Sequence, residues 1–265
     1  MLFLNDEFIK NWQGDNPFTL VQSIEGEVYR KVKSRRTLKF SLNGESYFLK
    51  LHMGIGWKEI LKDLLQFRLP VTSAENEWNA INRLRELGID TMTVAAYGKK
   101  GINPATIKSF LVTEDLSNTV SLEEYCSKWA EKRPPYPIKM KLIEKIASIS
   151  REMHAGGICH RDFYICHFLL HNRNDNVSID NDLRLSLIDL HRALIKSNLG
   201  NRWVVKDIAG LYFSCMDLGL TQRDLFRFMR SYKNKRLRLT LEQDIDFWNQ
   251  VSKKANSLYG KLNRL

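Results

Sequence analysis

Hydrophobic residues follow a strand-like period in the first part of this chain and a helical period in the second. Residues 37–41 and 47–50 have the pattern of short strands, and the turn dipeptide Asn43-Gly44 between them predicts a β-hairpin. Later, apolar residues recur at helical spacing over 138–154, which predicts one long helix. The order of these patterns predicts an α+β fold, with a small antiparallel sheet followed by a larger helical part.

Two aspartates flank a predicted strand pair in the second half. A polar, Asn/Asp-rich loop over 172–182 separates short apolar strands at 167–170 and 183–190. Asp162 precedes the first strand and Asp189 lies in the second. Phosphoryl transfer needs one carboxylate to accept the proton of the attacking hydroxyl and another to hold Mg²⁺. The order predicts a kinase in which both aspartates face one cleft.

Such a kinase also needs a lysine that orients the nucleotide phosphates. Lys50 ends a predicted strand, and a helix expected to begin after Ser73 and end at Gly88 carries Glu77 beside its apolar stripe. Glu77 is favoured over Glu75 for that reason. Each residue alone would be an ordinary surface charge, so the assignment depends on the order that they share with the two aspartates.

The chain departs from the protein-kinase pattern in two places. Residues 23–28 hold a single glycine where protein kinases have a Gly-rich loop. The segment 30–39 contains six Lys/Arg and no acid, so Arg35 or Arg36 could contact the nucleotide phosphates or an anionic acceptor. His167 stands where protein kinases place a metal-binding Asn; because Mg²⁺ prefers oxygen, it ranks below the aspartate as a ligand.

These motifs resemble the lipopolysaccharide core heptose kinases, specifically the heptose(I) kinases of Gram-negative bacteria. The resemblance covers almost the whole chain and rests on residues 35–38, 47–50, 77–81, 160–162, 167–171, 188–193, 206–207 and 211–214. It implies a distant branch of the protein-kinase-like fold that uses ATP and Mg²⁺ to phosphorylate the 4-position of the first heptose of the inner core. It also implies that Asp162 is catalytic, that Lys50 and Glu77 orient the nucleotide, and that Asp189 binds the metal.

The expected architecture is a single bilobal kinase domain. Residues 1–116 would form the sheet-containing N-lobe and 117–265 the helical C-lobe, with ATP between them. The chain has 265 residues, of which 43% are hydrophobic, and no 18-residue apolar window, so a cytoplasmic location is expected. Four irregularly spaced cysteines favour reduced thiols over a disulfide framework.

The chain carries a formal net charge of +11, and residues 223–265 hold eleven Lys/Arg against four Asp/Glu, or +7. Such a surface suits an anionic partner, and a phosphorylated glycolipid at the cytoplasmic face of the inner membrane is the one expected. Association with acyl carrier protein is implied by the family resemblance alone. Nucleic acid is not expected, because there is no aromatic RNA-binding signature.

Several alternatives stay open from sequence. The acceptor could be 3-deoxy-octulosonic acid, a second heptose, an aminoglycoside or a protein, and a nucleic-acid-binding pseudokinase is the non-enzymatic alternative. The His/Cys cluster over 154–191 lacks the spacing of a structural zinc site. The amphipathic stretch 57–69 could dock on a membrane or a partner, but core packing is favoured. Asp207 either braces the catalytic loop or is an ordinary acid early in a helix.

Overall fold

This computed structural model describes residues 1–32, 34–66, 70–171 and 183–262. The chain forms two compact units. The first unit comprises residues 1–82, 92–117 and 190–192, and the second comprises 83–91, 118–189 and 193–265. The predicted loop 172–182 lies outside the described residues.

The first unit is built on a six-stranded antiparallel sheet. Its strands are β1 (Leu2–Leu4), β2 (Glu27–Val32), β3 (Arg35–Leu42), β4 (Glu45–Met53), β5 (Val94–Lys100) and β6 (Lys108–Glu114). Their order across the sheet is β1-β5-β6-β4-β3-β2, so β4 is an interior strand. The edge strand β1 was not predicted from the sequence; with it, the strand that carries Lys50 is the fourth in chain order.

The predicted β3–β4 hairpin is confirmed. Leu42 pairs with Glu45, which leaves Asn43 and Gly44 as a two-residue turn with φ of 51° and 86°. A turn with two positive φ angles matches the right-handed twist of the flanking strands, and Asn-Gly is the dipeptide that adopts it most readily. This local signal therefore fixes the register of the strand that carries Lys50.

Helices α1 (Asp6–Asn11) and α2 (Pro17–Ser23) cover the apolar core of this unit. Phe8 is fully buried and makes edge-to-face contacts with Trp12 (4.8 Å) and Tyr47 (5.1 Å between ring centroids). Helix α3 (Gly56–Leu65) follows β4, and α4 (Glu75–Glu86) follows α3. Trp78 of α4 stacks on the buried ring of Tyr97 in β5 at 4.7 Å. The aromatic stack therefore holds α4 against the sheet.

The second unit is mainly helical. Its elements are β7 (Thr119–Ser121), α5 (Leu122–Cys126), α6 (Tyr136–Ala155), β8 (Ile158–Cys159), β9 (Phe168–His171), β10 (Leu185–Leu187), β11 (Leu194–Ile195), α7 (Asn201–Ser214), α8 (Gln222–Lys233), α9 (Leu237–Gln243) and α10 (Ile245–Leu262). The predicted long helix corresponds to α6, which begins two residues earlier than expected. Together with the sheet of the first unit, this confirms the α+β fold class.

The predicted strand pair that follows Asp162 is present but shorter than expected. β9 lies between β7 and β10, and Leu187 is the last residue of β10. Asp189 has a φ of 62°, in the left-handed region, so the chain cannot continue as a strand through that position. The prediction of one strand over 183–190 was therefore wrong at its C-terminal end.

Core packing of the whole 57–69 stretch was also a wrong prediction. Ile60 is buried, but Trp57, Leu61, Leu64 and Leu65 are exposed; residues 67–69 lie outside the described residues.

Within the part of the chain that the structure describes, no helix combines the length and apolarity needed to cross a membrane.

Candidate active site

Lys50 and Glu77 form a close ion pair in the first unit. Lys50 lies in the interior strand β4, and its Nζ is 2.6 Å from Oε1 of Glu77 on α4. The Glu77 side chain is only 2% exposed, whereas that of Lys50 is 24% exposed. The buried carboxylate holds the ammonium group in one position, while the Lys50 side chain stays partly exposed. The pair expected from sequence is thus brought together.

Arg35 and Arg36 lie at the start of β3 and both bind backbone carbonyls. An Arg35 guanidinium N–H donates to the carbonyl of Val71, and one from Arg36 donates to that of Ile24. Gly26, the single glycine of the segment 23–28, has a local explanation: a Cβ there would lie 2.1 Å from the carbonyl oxygen of Lys39. This glycine is needed for strand packing.

His52 lies two residues beyond Lys50 on the same strand and is buried. Burial, together with the positive charges of Arg35 and Lys50, lowers the pKa of His52 to about 3. Its imidazole is therefore neutral at physiological pH.

This depressed pKa predicts acid destabilisation. Below the ordinary histidine pKa of about 6.5, the unfolded chain binds a proton that folded His52 does not, so stability is complete above that pH and is lost as pH falls towards 3. We expect His52 to remove about 2–3 kcal/mol of unfolding free energy by about pH 4.5. Urea unfolding of wild type and His52→Asn across this range measures the difference. Parallel pH curves would show that His52 does not titrate this way.

Asp207 of α7 anchors the loop that contains residues 160–162 in the second unit. Its Oδ2 accepts the backbone N–H of His160 (2.6 Å), and its Oδ1 accepts that of Arg161 (2.8 Å). His154 Nε2 lies 3.3 Å from Oδ2. Burial pushes the pKa of Asp207 up, but the His154 hydrogen bond, the neighbouring imidazoles and the Arg161 N–H outweigh it and hold the pKa below its usual value. The predicted brace on the loop is confirmed.

Two residues beside the key carboxylates have left-handed backbone. Arg161, which precedes Asp162, has a φ of 73°, and Asp189 has a φ of 62°. Non-glycine residues in this region cost of order 1 kcal/mol or more and persist only where surrounding contacts hold them. The Asp207 carboxylate supplies one such contact by binding the Arg161 N–H. The loop therefore presents Asp162 in a conformation imposed by the fold.

His160 connects the two carboxylate-bearing segments. It is fully buried, and its Nε2–H donates to the carbonyl of Ile188, the residue before Asp189, at 2.9 Å. Burial lowers its pKa, which favours the neutral ring. A second link is the Ile188 N–H, which donates to the carbonyl of His167 at 3.0 Å. Asp162 and Asp189 therefore lie on two segments that are joined directly by hydrogen bonds.

The pair His167 and Asp189 has the donor arrangement of a cation site. His167 Nδ1–H donates to the carbonyl of Asp162 at 2.7 Å, which leaves the other ring nitrogen, Nε2, directed at Asp189. That Nε2 lies 3.5 Å from Oδ2 of Asp189. Two acceptors facing each other repel unless a proton or a cation lies between them. The residues present therefore fit a divalent cation, with the Asp189 oxygen as the harder ligand.

Two residues that position this site were not predicted from the sequence. His160 was treated only as part of a motif, although its ring links the two loops. Ser214 accepts the backbone N–H of Ile165 at 2.9 Å and donates to the carbonyl of Leu211, which ties the end of α7 to the turn before β9. No spacing rule identifies such links, since both depend on tertiary contacts. Elsewhere, His154 and His171 form hydrogen bonds with Tyr232 and Ser186, respectively.

A separate cavity of about 440 Å³ lies among α6, α7, α8 and α10. Its wall is mainly apolar and includes Ile146, Leu211, Phe228 and Trp248. Asp162, His167 and Asp189 do not line it. Over the described ranges, no three His, Cys, Asp or Glu side chains are grouped as in a zinc site.

Comparisons with known proteins find relatives that match most of this chain. The lipopolysaccharide kinase (Kdo/WaaP) family matches residues 20–232. A lipopolysaccharide core heptose(I) kinase WaaP of Escherichia coli is 48% identical over 258 residues, covering 97% of each chain. Its namesake from Pseudomonas aeruginosa (strain PAO1) is 47% identical over 263 residues, covering 99% of this chain and 97% of that protein. A solved structure described as WaaP in complex with acyl carrier protein superposes with a TM-score of 0.85 at 42% identity, covering 98% of this chain and 99% of that one.

Kinases use a lysine held by a glutamate, an aspartate on a fixed loop and a carboxylate that can bind a cation. All three types of group are present in this chain. The length of the matches and their sequence identity then show to which family of kinases the chain belongs. The chain belongs to the lipopolysaccharide kinase (Kdo/WaaP) family.

Proposed function

We propose that this protein transfers the γ-phosphate of ATP to the 4-hydroxyl of the first heptose of the lipopolysaccharide inner core. The observation that carries the proposal is near full-length identity of 46–48% to three heptose(I) kinases. The family name covers kinases of two acceptors, so the choice of heptose follows these relatives and not the family alone. Residues 1–116 would serve as the nucleotide-binding lobe and 117–265 as the catalytic lobe.

In this proposal each site residue has one role. Asp162 orients the sugar hydroxyl and accepts its proton. Lys50, fixed by Glu77, neutralises and orients the nucleotide phosphates, and Arg35 and Arg36 contribute positive charge on the same sheet.

The metal-binding residues in this proposal are Asp189 and His167. When bound, Mg²⁺ would neutralise charge that develops on the phosphates. Asp207 and His160 touch neither substrate; they position the loop.

His167 provides a prediction about the metal. His167→Leu removes the nitrogen that faces Asp189, so the Mg²⁺ concentration for half-maximal activity should rise about tenfold or more. His167→Asn places an amide oxygen nearby and should change it much less. Titrating Mg²⁺ at saturating ATP compares the two variants. An unchanged Mg²⁺ requirement in His167→Leu would remove this residue from the metal site.

The phosphorylated position is tested on the product. Inner-core acceptor carrying both heptoses is incubated with the protein, ATP and Mg²⁺, and phosphorus–proton correlation NMR locates the new phosphate. The proposal expects it on O4 of the first heptose. Phosphate on the second heptose, or at another hydroxyl of the first, would replace that acceptor assignment.

The non-enzymatic alternative, a nucleic-acid-binding pseudokinase, predicts a different ligand response. A kinase is stabilised against thermal unfolding by ATP only when Mg²⁺ is present, because the nucleotide binds the folded state as its metal complex. Stabilisation by RNA or DNA, with none by Mg²⁺-ATP, would favour the alternative.

We propose a cytoplasmic enzyme that contacts the inner membrane peripherally and also binds acyl carrier protein. The structural relative was solved with that partner. The apolar cavity among α6, α7, α8 and α10 has a lining suited to the acyl group that such a partner carries. Acylated carrier protein should therefore bind more tightly than the unacylated form in calorimetric titrations, and equal affinity would argue against use of this cavity.

The basic C-terminal region should steer the enzyme to anionic glycolipid. Lys253 and Lys254 are exposed on α10, within the segment 223–265 that carries +7. Reversing both to Glu should raise the apparent KM for acceptor in lipid vesicles several-fold at low salt and flatten its salt dependence, with unchanged ATP constants. The control reverses the exposed pair Lys128 and Lys132, outside this segment. Equal effects of both pairs would mean that only net charge matters.

A further inference from the structure

Helix α3 leaves a row of large apolar side chains in water. Trp57 is 55% exposed, Leu61 57%, Leu64 49% and Leu65 81%, whereas Ile60 is only 5% exposed. Single exposed apolar residues are ordinary on a protein surface, but several adjacent ones mark an interaction site. Ile60 therefore packs the helix against its own unit. The other apolar side chains do not pack there and are available to a binding partner.

These side chains share one face. At about 100° per residue, Trp57, Leu61, Leu64 and Leu65 fall within an arc of roughly 100°. Lys58 and Lys62 come next around the helix on the Leu65 side, and both are exposed. An apolar arc bordered by lysines is the pattern of a helix that lies in a membrane interface, where the lysine stems extend towards the headgroups.

The turn between β5 and β6 extends this surface. Gly56 N–H, at the start of α3, donates to the carbonyl of Ala105 at 3.0 Å, so this turn lies beside the helix. Ile102 in the turn is 95% exposed. The exposed Lys100 and Lys108 are direct cross-strand partners, and like charges in that position destabilise a strand pair. An anionic surface would relieve their repulsion.

The positive charge of this face lies on the strand ends and not on α3. The helix sequence contains two lysines and two acids, Glu59 and Asp63, so α3 itself has no net charge. The local positive charge comes from the strand ends, at Lys100 and Lys108. Apolar contact from α3 and electrostatic attraction from the neighbouring strands are thus supplied by separate residues, which can be changed independently.

We propose that α3 and the β5–β6 turn form the face on which this enzyme lies on a membrane that contains anionic lipid. The α3 surface is defined by Trp57, Leu61, Leu64, Leu65, Ile102, Lys100 and Lys108. The apolar side chains enter the headgroup layer, and Lys100 and Lys108 bind lipid phosphates. This inference rests on the proposed function, because the proposed acceptor is a glycolipid held in a membrane.

The test is co-sedimentation of the full chain with vesicles of phosphatidylethanolamine containing phosphatidylglycerol. Leu64→Ser with Leu65→Ser should lower the partition coefficient roughly tenfold or more. The matched control, Leu239→Ser with Leu262→Ser, removes two exposed leucines from α9 and α10 and should leave it unchanged. Lys100→Glu with Lys108→Glu should weaken binding to these vesicles but not to vesicles of phosphatidylcholine alone.

Two further measurements keep this proposal separate from the function. Phosphorylation of a lipid-free core oligosaccharide should be equal in wild type and all variants, and its absence in wild type would overturn the function and not the docking face. Wild-type partition in Leu64→Ser with Leu65→Ser would overturn the docking proposal. So would a finding that these substitutions weaken binding of acyl carrier protein and not of vesicles, since the surface would then be a protein interface.

Discussion

Asp162→Asn should abolish nearly all turnover while leaving nucleotide binding intact. The substitution keeps the size of the side chain but removes the carboxylate that, in the proposed function, accepts the proton of the sugar hydroxyl. General-base catalysis of this kind contributes roughly 10²–10⁴-fold, so kcat should fall by that factor. Affinity for Mg²⁺-ATP, measured by calorimetry, should change little because Asp189, His167 and Lys50 remain.

Asp90→Asn is the control for this experiment. Asp90 is a surface carboxylate paired with Arg184 at 3.2 Å, and its loss should affect turnover by less than about twofold. The assignment of Asp162 fails if Asp162→Asn keeps turnover close to that of Asp90→Asn. A variant that instead loses Mg²⁺-ATP affinity would place Asp162 among the metal ligands.

Asp207→Ala should have the largest effect on stability. The substitution leaves the buried N–H groups of His160 and Arg161 without their acceptor and His154 without its carboxylate partner. Breaking a buried, hydrogen-bonded charge network costs about 3–5 kcal/mol of unfolding free energy. Turnover of the folded fraction should drop about 10²-fold, because the loop that carries Asp162 is no longer fixed. Urea unfolding and single-turnover kinetics measure the two effects.

The matched control is Asp246→Ala. Asp246 is an exposed acid in the first turn of α10, at the positive end of the helix dipole. Its removal should cost less than about 1 kcal/mol and leave turnover unchanged. Similar losses in both variants would mean that Asp207 is an ordinary helix acid and that the loop is held by other contacts.

Local sequence signals were enough to predict several parts of the fold. The Asn43-Gly44 turn set the β3–β4 hairpin, and helical periodicity located α6, since each depends on a few adjacent residues. The Lys50–Glu77 pair was predicted although the two residues are 27 positions apart. Its prediction needed the order of all the kinase residues, because neither residue is distinctive alone.

Other parts depend on contacts that a sequence pattern does not contain. β1 has only three residues and forms by pairing with β5, so nothing local distinguishes it. β10 ends early because Asp189 has a left-handed φ imposed by its surroundings. The apolar stripe of α3 shows that one face avoids water, but the same stripe suits a protein core and a membrane interface. The exposure of Leu61 and Leu65 in the structure excludes the protein core.

The identity of the acceptor sugar can be tested with two truncated lipopolysaccharides. One ends at 3-deoxy-octulosonic acid and the other retains the inner heptoses; each is incubated with the protein, ATP and Mg²⁺, and product mass is measured. Phosphoryl transfer depends on holding the acceptor oxygen in line with the γ-phosphate, so an acceptor without the heptose should be inert. The heptose assignment predicts one added phosphate on the heptose-containing acceptor and none on the other. Phosphate on the heptose-free acceptor would contradict it.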